Sequence, residues 1–195
     1  MRILALADEE YPPFVGCDPA RIKGYDLIIA CGDLHSSYLD QIADRANTVV
    51  FYVNGNHDGK RGTNPPEGCE CIDDRLVTFK GIRILGLGGS YYYNSESPYQ
   101  YTEAEMKRRI IKLGLKIKMN KGFDILVTHA PAKNINDGND TAHKGFDSFT
   151  KLIDKYSPKY YLHGHVHLNY GGYPRVMTYN NTTVINAYEK YEFDY

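Results

Sequence analysis

Tyr25-Asp26-Leu27-Ile28-Ile29-Ala30-Cys31-Gly32-Asp33 is the stretch on which the fold turns. Residues 25–31 form a nearly continuous apolar run, as a parallel strand covered on both faces does, because neither side meets water. The run stops on a glycine and a carboxylate. Working outward, residues 3–7 and 49–53 are two more short apolar runs that read as strands. Between the second and third strands, residues 37–46 place Leu39, Ile42 and Ala43 on one helical face. Strand, helix, strand predicts an α/β fold with right-handed crossovers.

The second half carries hairpins as well. Residues 76–79 and 82–87, separated by Lys80-Gly81, read as a hairpin, followed by a polar, aromatic loop over 88–100. Thr102-Glu103-Ala104-Glu105 is a capping box that starts a helix, and Met106, Ile110, Leu113 and Ile117 give it an apolar stripe. Seven Lys or Arg fall between Lys107 and Lys121, and read as a solvated helix face, with a nucleic-acid patch as the alternative. A strand over 124–128, a long loop to about Gly145, a helix over 146–156 and a strand over 160–162 follow. Two β-rich runs at 176–179 and 183–187, joined by Asn180-Asn181, complete the pattern. The sum is two sheets with helices outside, a four-layer arrangement.

A chain of 195 residues suits one domain, 1–195, around one core. Its net charge of −1 gives no global field toward nucleic acid or anionic lipid, so neither is an expected partner. The apolar stretch between Arg2 and Asp8 is too short for a signal-peptide core, and nothing later approaches a membrane span. The expected compartment is the cytoplasm, with Cys17, Cys31, Cys69 and Cys71 as free thiols. Cys69-Glu70-Cys71 lacks both the spacing and the second cysteine pair of a structural zinc site.

The chemistry sits where strands end. Asp8-Glu9-Glu10, Gly32-Asp33, Gly55-Asn56-His57-Asp58, Thr128-His129 and Gly164-His165-Val166-His167 each follow an apolar run. Parallel strands end along one edge of a sheet, which brings these loops together. Carboxylate, amide oxygen and imidazole are ligands for borderline or hard divalent ions. Two such ions about 3.5–4 Å apart, bridged by a carboxylate and a hydroxide, are what in-line attack on phosphorus requires. If the first strand continues, Asp8 and Glu10 point the same way. Singly, each motif also reads as an ordinary cap, turn or core histidine.

In these ordered residues the chain resembles the calcineurin-like metallophosphoesterase superfamily, whose pattern runs Asp-x-His, Gly-Asp, Gly-Asn-His-Asp/Glu, a lone His and Gly-His-x-His. The resemblance extends from Asp8 to His167. It implies a four-layer αββα sandwich of two mixed sheets, with two divalent ions at the strand ends. Position by position, Asp8, Glu10, Asp33 and His167 would hold the first ion. Asp33 would bridge to the second, completed by Asn56, His129 and His165. His57 would stay off the metals and assist at the phosphoryl or leaving group, and Asp58 would orient it or cap its turn. Glu10 stands where the family has His, and a third carboxylate there tilts the expectation toward Mn²⁺, Fe or Mg²⁺ over Zn²⁺. A Glu10 turned away would leave the first ion weakly held.

Ser36-Ser37-Tyr38 replaces the Asp-Arg-Gly continuation of the protein phosphatases of that superfamily, and neither a cap domain nor a basic surface marks a repair nuclease. The implied activity is hydrolysis of a small phosphodiester or phosphomonoester. An inactive interaction scaffold and a nuclease are the alternatives. The loop after His129 is long enough to overhang the site, so His143 is a candidate for substrate phosphate, and Tyr92 for a pocket wall.

Overall fold

The computed structural model describes residues 1–16, 18–61 and 64–195. Its strands are β1 (Arg2–Ala7), β2 (Leu27–Ala30), β3 (Val49–Tyr52), β4 (Glu70–Cys71), β5 (Arg75–Phe79) and β6 (Ile82–Leu87), then β7 (Ser90–Tyr91) and β8 (Gln100–Tyr101). After these come β9 (Ile125–Thr128), β10 (Tyr160–His163), β11 (Val176–Tyr179), β12 (Thr182–Asn186) and β13 (Glu189–Asp194). The helices are α1 (Ser36–Ala46), the single turn α2 (Asp58–Arg61), α3 (Glu103–Met119) and α4 (Asp147–Tyr156).

Two sheets carry the molecule, in the orders β13-β1-β2-β3-β4 and β11-β12-β10-β9-β6-β5. β1 through β4 run parallel, as do β6, β9, β10 and β12, while β13, β11 and β5 are antiparallel. The apolar runs of β1, β2, β3, β9 and β10 are continuous because these inner strands are buried on both sides. Ile3, Ala5, Leu27, Ile29 and Phe51 meet Ile84, Ile125, Val127, Leu162 and Ile185 between the sheets. The alternate residues Leu4, Leu6, Ile28 and Val50 pack under Leu39 and Ile42 of α1. On the far side, Leu85, Leu126 and Val184 meet Met106, Leu113 and Ile117 of α3 and Phe149 and Leu152 of α4. The layers are helix, sheet, sheet, helix, as the pattern predicts.

The helix signals hold in detail. Thr102 accepts from the Glu105 N–H while the Glu105 carboxylate accepts from the Thr102 N–H, closing the capping box. Four strands are additional to the sequence reading: the two-residue β4, β7 and β8, of which β7 and β8 pair within the segment read as a loop, and β13, Glu-Lys-Tyr-Glu-Phe-Asp, which pairs antiparallel with β1 along the sheet edge. Cys31, Cys69 and Cys71 are free thiols, and Cys17 lies outside the described residues. Among the described residues, no helix is long and apolar enough to cross a membrane.

Candidate metal centre

β1, β2 and β3 of one sheet and β9 and β10 of the other all release their chains toward one point. Three of the turns there need unusual backbone. Asp8, Asp33 and His165 have φ of 66°, 60° and 66°, a left-handed conformation uncommon for residues with a Cβ. Close packing holds them. A Cβ on Gly55 would lie 2.1 Å from Asp33 Oδ1, and one on Gly164 would lie 2.6 Å from Asp8 Oδ2. Glycine at both positions lets two buried carboxylates approach the backbone of neighbouring strand ends.

The imidazoles are held from behind. His129 turns Nδ1 to the Cys31 carbonyl at 2.8 Å, and His165 turns Nε2 to the Ala142 carbonyl at 2.7 Å. A carbonyl accepts only from N–H, so those nitrogens carry the protons and the opposite nitrogens present lone pairs. His129 Nε2 and His165 Nδ1 lie 3.1 Å apart. Asn56 Oδ1 is 2.9 Å and Asp33 Oδ2 is 3.4 Å from His129 Nε2. Asp33, His129 and His165, all buried, offer ligand atoms within 4.8 Å of one another.

Four acceptor atoms facing one point need positive charge between them. Burial opposes a charge on His129, yet Asp33, through its field and a hydrogen bond, holds that imidazole up at about 9. Burial equally opposes the Asp33 carboxylate, but His129 keeps it well below the usual carboxylate range. Burial, and then the His129 charge, push His165 down to about 3, leaving it a neutral donor. A proton on His129 satisfies part of this set, whereas a divalent ion satisfies all of it. Imidazoles braced by backbone carbonyls on their far nitrogens are the usual holders of such ions.

Asn56 faces its oxygen inward because its Nδ2 donates to the Tyr93 hydroxyl at 3.0 Å. Tyr93 is fixed in turn, since the N–H groups of Tyr93 and Asn94 both donate to Gln100 Oε1 at 2.9 Å. The 88–101 segment hangs on Arg109 of α3, which donates to Gly88 O at 2.7 Å and to the Asp73 carboxylate at 2.6 Å, with its guanidinium 4.1 Å from the Tyr101 ring centre.

Asp8 sits beside this group. Both its oxygens accept from the His165 N–H, at 3.1 and 2.9 Å, and His167 Nε2 is 3.7 Å from Oδ1. Tyr170 stacks on the His167 ring with centroids 4.9 Å apart, and Tyr188 lies 4.8 Å away on a tilt while donating to Glu9. Glu10 does not join them. β1 stops at Ala7, and the left-handed Asp8 breaks the alternation on which a shared Asp8–Glu10 face depends. Glu10 is exposed, and among the described residues it takes no hydrogen bond within the cluster.

His57 is half-buried; its backbone N–H donates to Asp33 Oδ1 at 2.7 Å, and among the described residues its ring is unbonded. Asp58 braces the same turn by accepting from the N–H groups of Gly55 at 2.6 Å and Asp33 at 3.1 Å. Its Oδ1 is buried without a partner among the described residues, and burial, then the Asp33 charge, raise it to about 6. His143 reaches the site: its Nδ1 is 2.9 Å from Asp140, and its ring centre is 5.3 Å from those of His165 and Tyr170. Tyr92 is about half exposed, and among the described residues its side chain makes no hydrogen bond or ring contact with the cluster. Sequence reasoning misses Tyr170, and among tyrosines 91–93 it singles out Tyr92 where the structure brings Tyr93 to Asn56. Three consecutive tyrosines carry no periodic signal, and the Tyr93 backbone is fixed by Gln100 at the far end of the same loop.

The sequence profile described as calcineurin-like phosphoesterase matches residues 9–169. The fold and the strand-end site are those of that class, and the chain belongs to the calcineurin-like phosphoesterase family. Among related sequences is the uncharacterized protein MJ1162 of Methanocaldococcus jannaschii, 27% identical over 211 residues that cover 100% of this chain and 91% of that one. Two solved structures share the fold. TT1561 of Thermus thermophilus has a TM-score of 0.64 at 17% identity, covering 96% of this chain and 89% of that one. GAP50, the anchor in the inner membrane complex of Plasmodium, has a TM-score of 0.54 at 13% identity, covering 95% of this chain and 70% of that one.

Proposed function

We propose that this chain is a metal-dependent hydrolase of small phosphate esters, with diesters favoured over monoesters. The observation that carries the reading is the convergence of Asp33 Oδ2, Asn56 Oδ1, His129 Nε2 and His165 Nδ1 on one buried point, each held from behind. Divalent ions bound there supply Lewis acidity and an activated nucleophile. Asp33, Asn56, His129 and His165 would hold the tighter ion. Asp8 and His167, beside Asp33, would hold a second, more weakly because Glu10 faces solvent. His57 protonates the leaving oxygen or steadies charge on the phosphoryl group. Asp58 keeps the His57 turn in shape, and His143, oriented by Asp140, meets the substrate from the overhanging loop.

Turnover of bis-p-nitrophenyl phosphate against p-nitrophenyl phosphate, with Mn²⁺ added, tests the activity. Expected is hydrolysis, faster on the diester, and a loss of at least about a hundredfold in kcat/KM on His57→Ala. No turnover of either ester by folded, metal-loaded protein would leave an interaction scaffold. Metal analysis tests the asymmetry: one ion retained through dialysis, a second added by titration, and neither altered by Glu10→Gln.

A further inference from the structure

Helix α3 braces the 88–101 segment through Arg109 on its inner side, but its outer face takes no part in the metal centre and is not that of a plain solvated helix. Met106, Leu113 and Ile117 enter the core. At about 100° per residue, Ile111, Leu115 and Met119 form a second row roughly 180° from them. These three side chains are 64%, 70% and 75% exposed. Lys107 and Lys118 border the row on one side, Lys112 and Lys116 on the other, with Arg108 inside it, all exposed. The only carboxylates on α3, Glu103 and Glu105, sit in its first turn, and both are engaged, with Ser148 and Thr102.

We propose that this face adsorbs to an anionic phospholipid surface, with Ile111, Leu115 and Met119 entering the acyl boundary and the flanking lysines meeting the phosphates. A basic helix with an outward apolar row fits that interface, where long lysine side chains bury their stems and keep their heads in water. Charge complementarity chooses the lipid. Each Lys or Arg held at an anionic surface strengthens binding roughly fivefold, and five of them surround this row. A second copy of the chain would set lysines against lysines. One row of three side chains is far too small for the roughly 800 Å² per partner of a stable protein interface. Nucleic acid would account for the charge but leave the apolar row in water. The net charge of −1 hides this local field, which Asp74 near Lys112 and Glu105 near Arg108 offset only in part.

The orientation suits a working enzyme, although the inference does not depend on catalysis. The Met119 end of α3 turns into Asp124 at the start of β9, and the metal centre lies past the other end of that strand. The row itself lies on the side of α3 turned away from the sheet, and its Met119 end is remote from the centre.

The test is sedimentation of the full chain with vesicles of phosphatidylcholine alone or mixed equally with phosphatidylglycerol. Expected is binding to the anionic vesicles only, weakened by salt, and reduced roughly tenfold or more by Leu115→Ser with Met119→Ser. Both positions are exposed, so far-ultraviolet circular dichroism and metal content should not change. The chain has no tryptophan, so Leu115→Trp supplies a single reporter, expected to shift to the blue on anionic vesicles. Failure to bind either vesicle overturns the proposal. So does binding that the serine pair leaves intact, tighter binding to single-stranded DNA, or self-association that the serine pair abolishes.

Discussion

Asn56 shows how finely the centre depends on the direction of one amide. Its oxygen faces His129 only while its nitrogen has the Tyr93 hydroxyl to donate to. Tyr93→Phe removes that acceptor and frees the amide to turn over. The expected result is a 10- to 100-fold weaker affinity for Mn²⁺ in a metal titration, with Tyr92→Phe unchanged. Equal affinities in the two variants would show that Asn56 is oriented by something else. Glu10 teaches the complementary lesson. Its type and spacing were legible, but its direction was not, because Asp8 adopts a left-handed turn to put both oxygens under the His165 N–H. That turn answers to a residue far along the chain, and local alternation carries no trace of it.

At the scale of elements, the strands bearing ligands were the easiest to read. Each parallel strand buried on both faces is an apolar run, and each ends where polar residues become useful. β13 was not legible for the opposite reason. Its alternating charged and aromatic residues form an edge strand only against β1, a partner on the other side of the sequence. Arg83 shows an element end secured by tertiary contact. It donates to two carbonyls just past the α3 terminus, Asn120 O at 2.6 Å and Lys121 O at 3.1 Å, and pairs with both Asp124 oxygens. The Arg83 hydrogen bond holds Asp124 below the usual carboxylate range, against a smaller cost of burial. A depressed folded-state pKa stabilises above the unfolded value of about 3.9 and loses that contribution as pH falls through the folded one. Asp124→Asn should therefore cost roughly 1–2 kcal/mol in urea unfolding at pH 7. The gap between variant and parent should close as the pH falls below about 4. A gap independent of pH would mean that the loss is steric.

For the whole molecule, the centre is also a joint. Its candidate ligands follow β2 and β3 in one sheet and β9 and β10 in the other, so an ion bound there would tie the two sheets to each other. An ion that binds the folded chain alone stabilises it by about 2.7 kcal/mol at a hundred times its dissociation constant. Adding Mn²⁺ should raise the melting temperature by several degrees and chelator should reverse it, with Asn56→Ala showing a smaller shift in calorimetry. No shift in the parent protein would argue against a resident ion.

The pairing of β1 with β13 also sets a timetable. β1 pairs with β2 on one side and β13 on the other, and Met1 and Tyr195 exchange hydrogen bonds at 2.9 and 3.2 Å. During synthesis β1 emerges before β2 to β12, while the strand that covers its outer edge follows all of them. Until then the nascent chain carries an unpaired hydrophobic edge, the kind that invites pairing with a neighbour. Elements made in between can pack behind that edge, but the first sheet closes only when its last strand arrives.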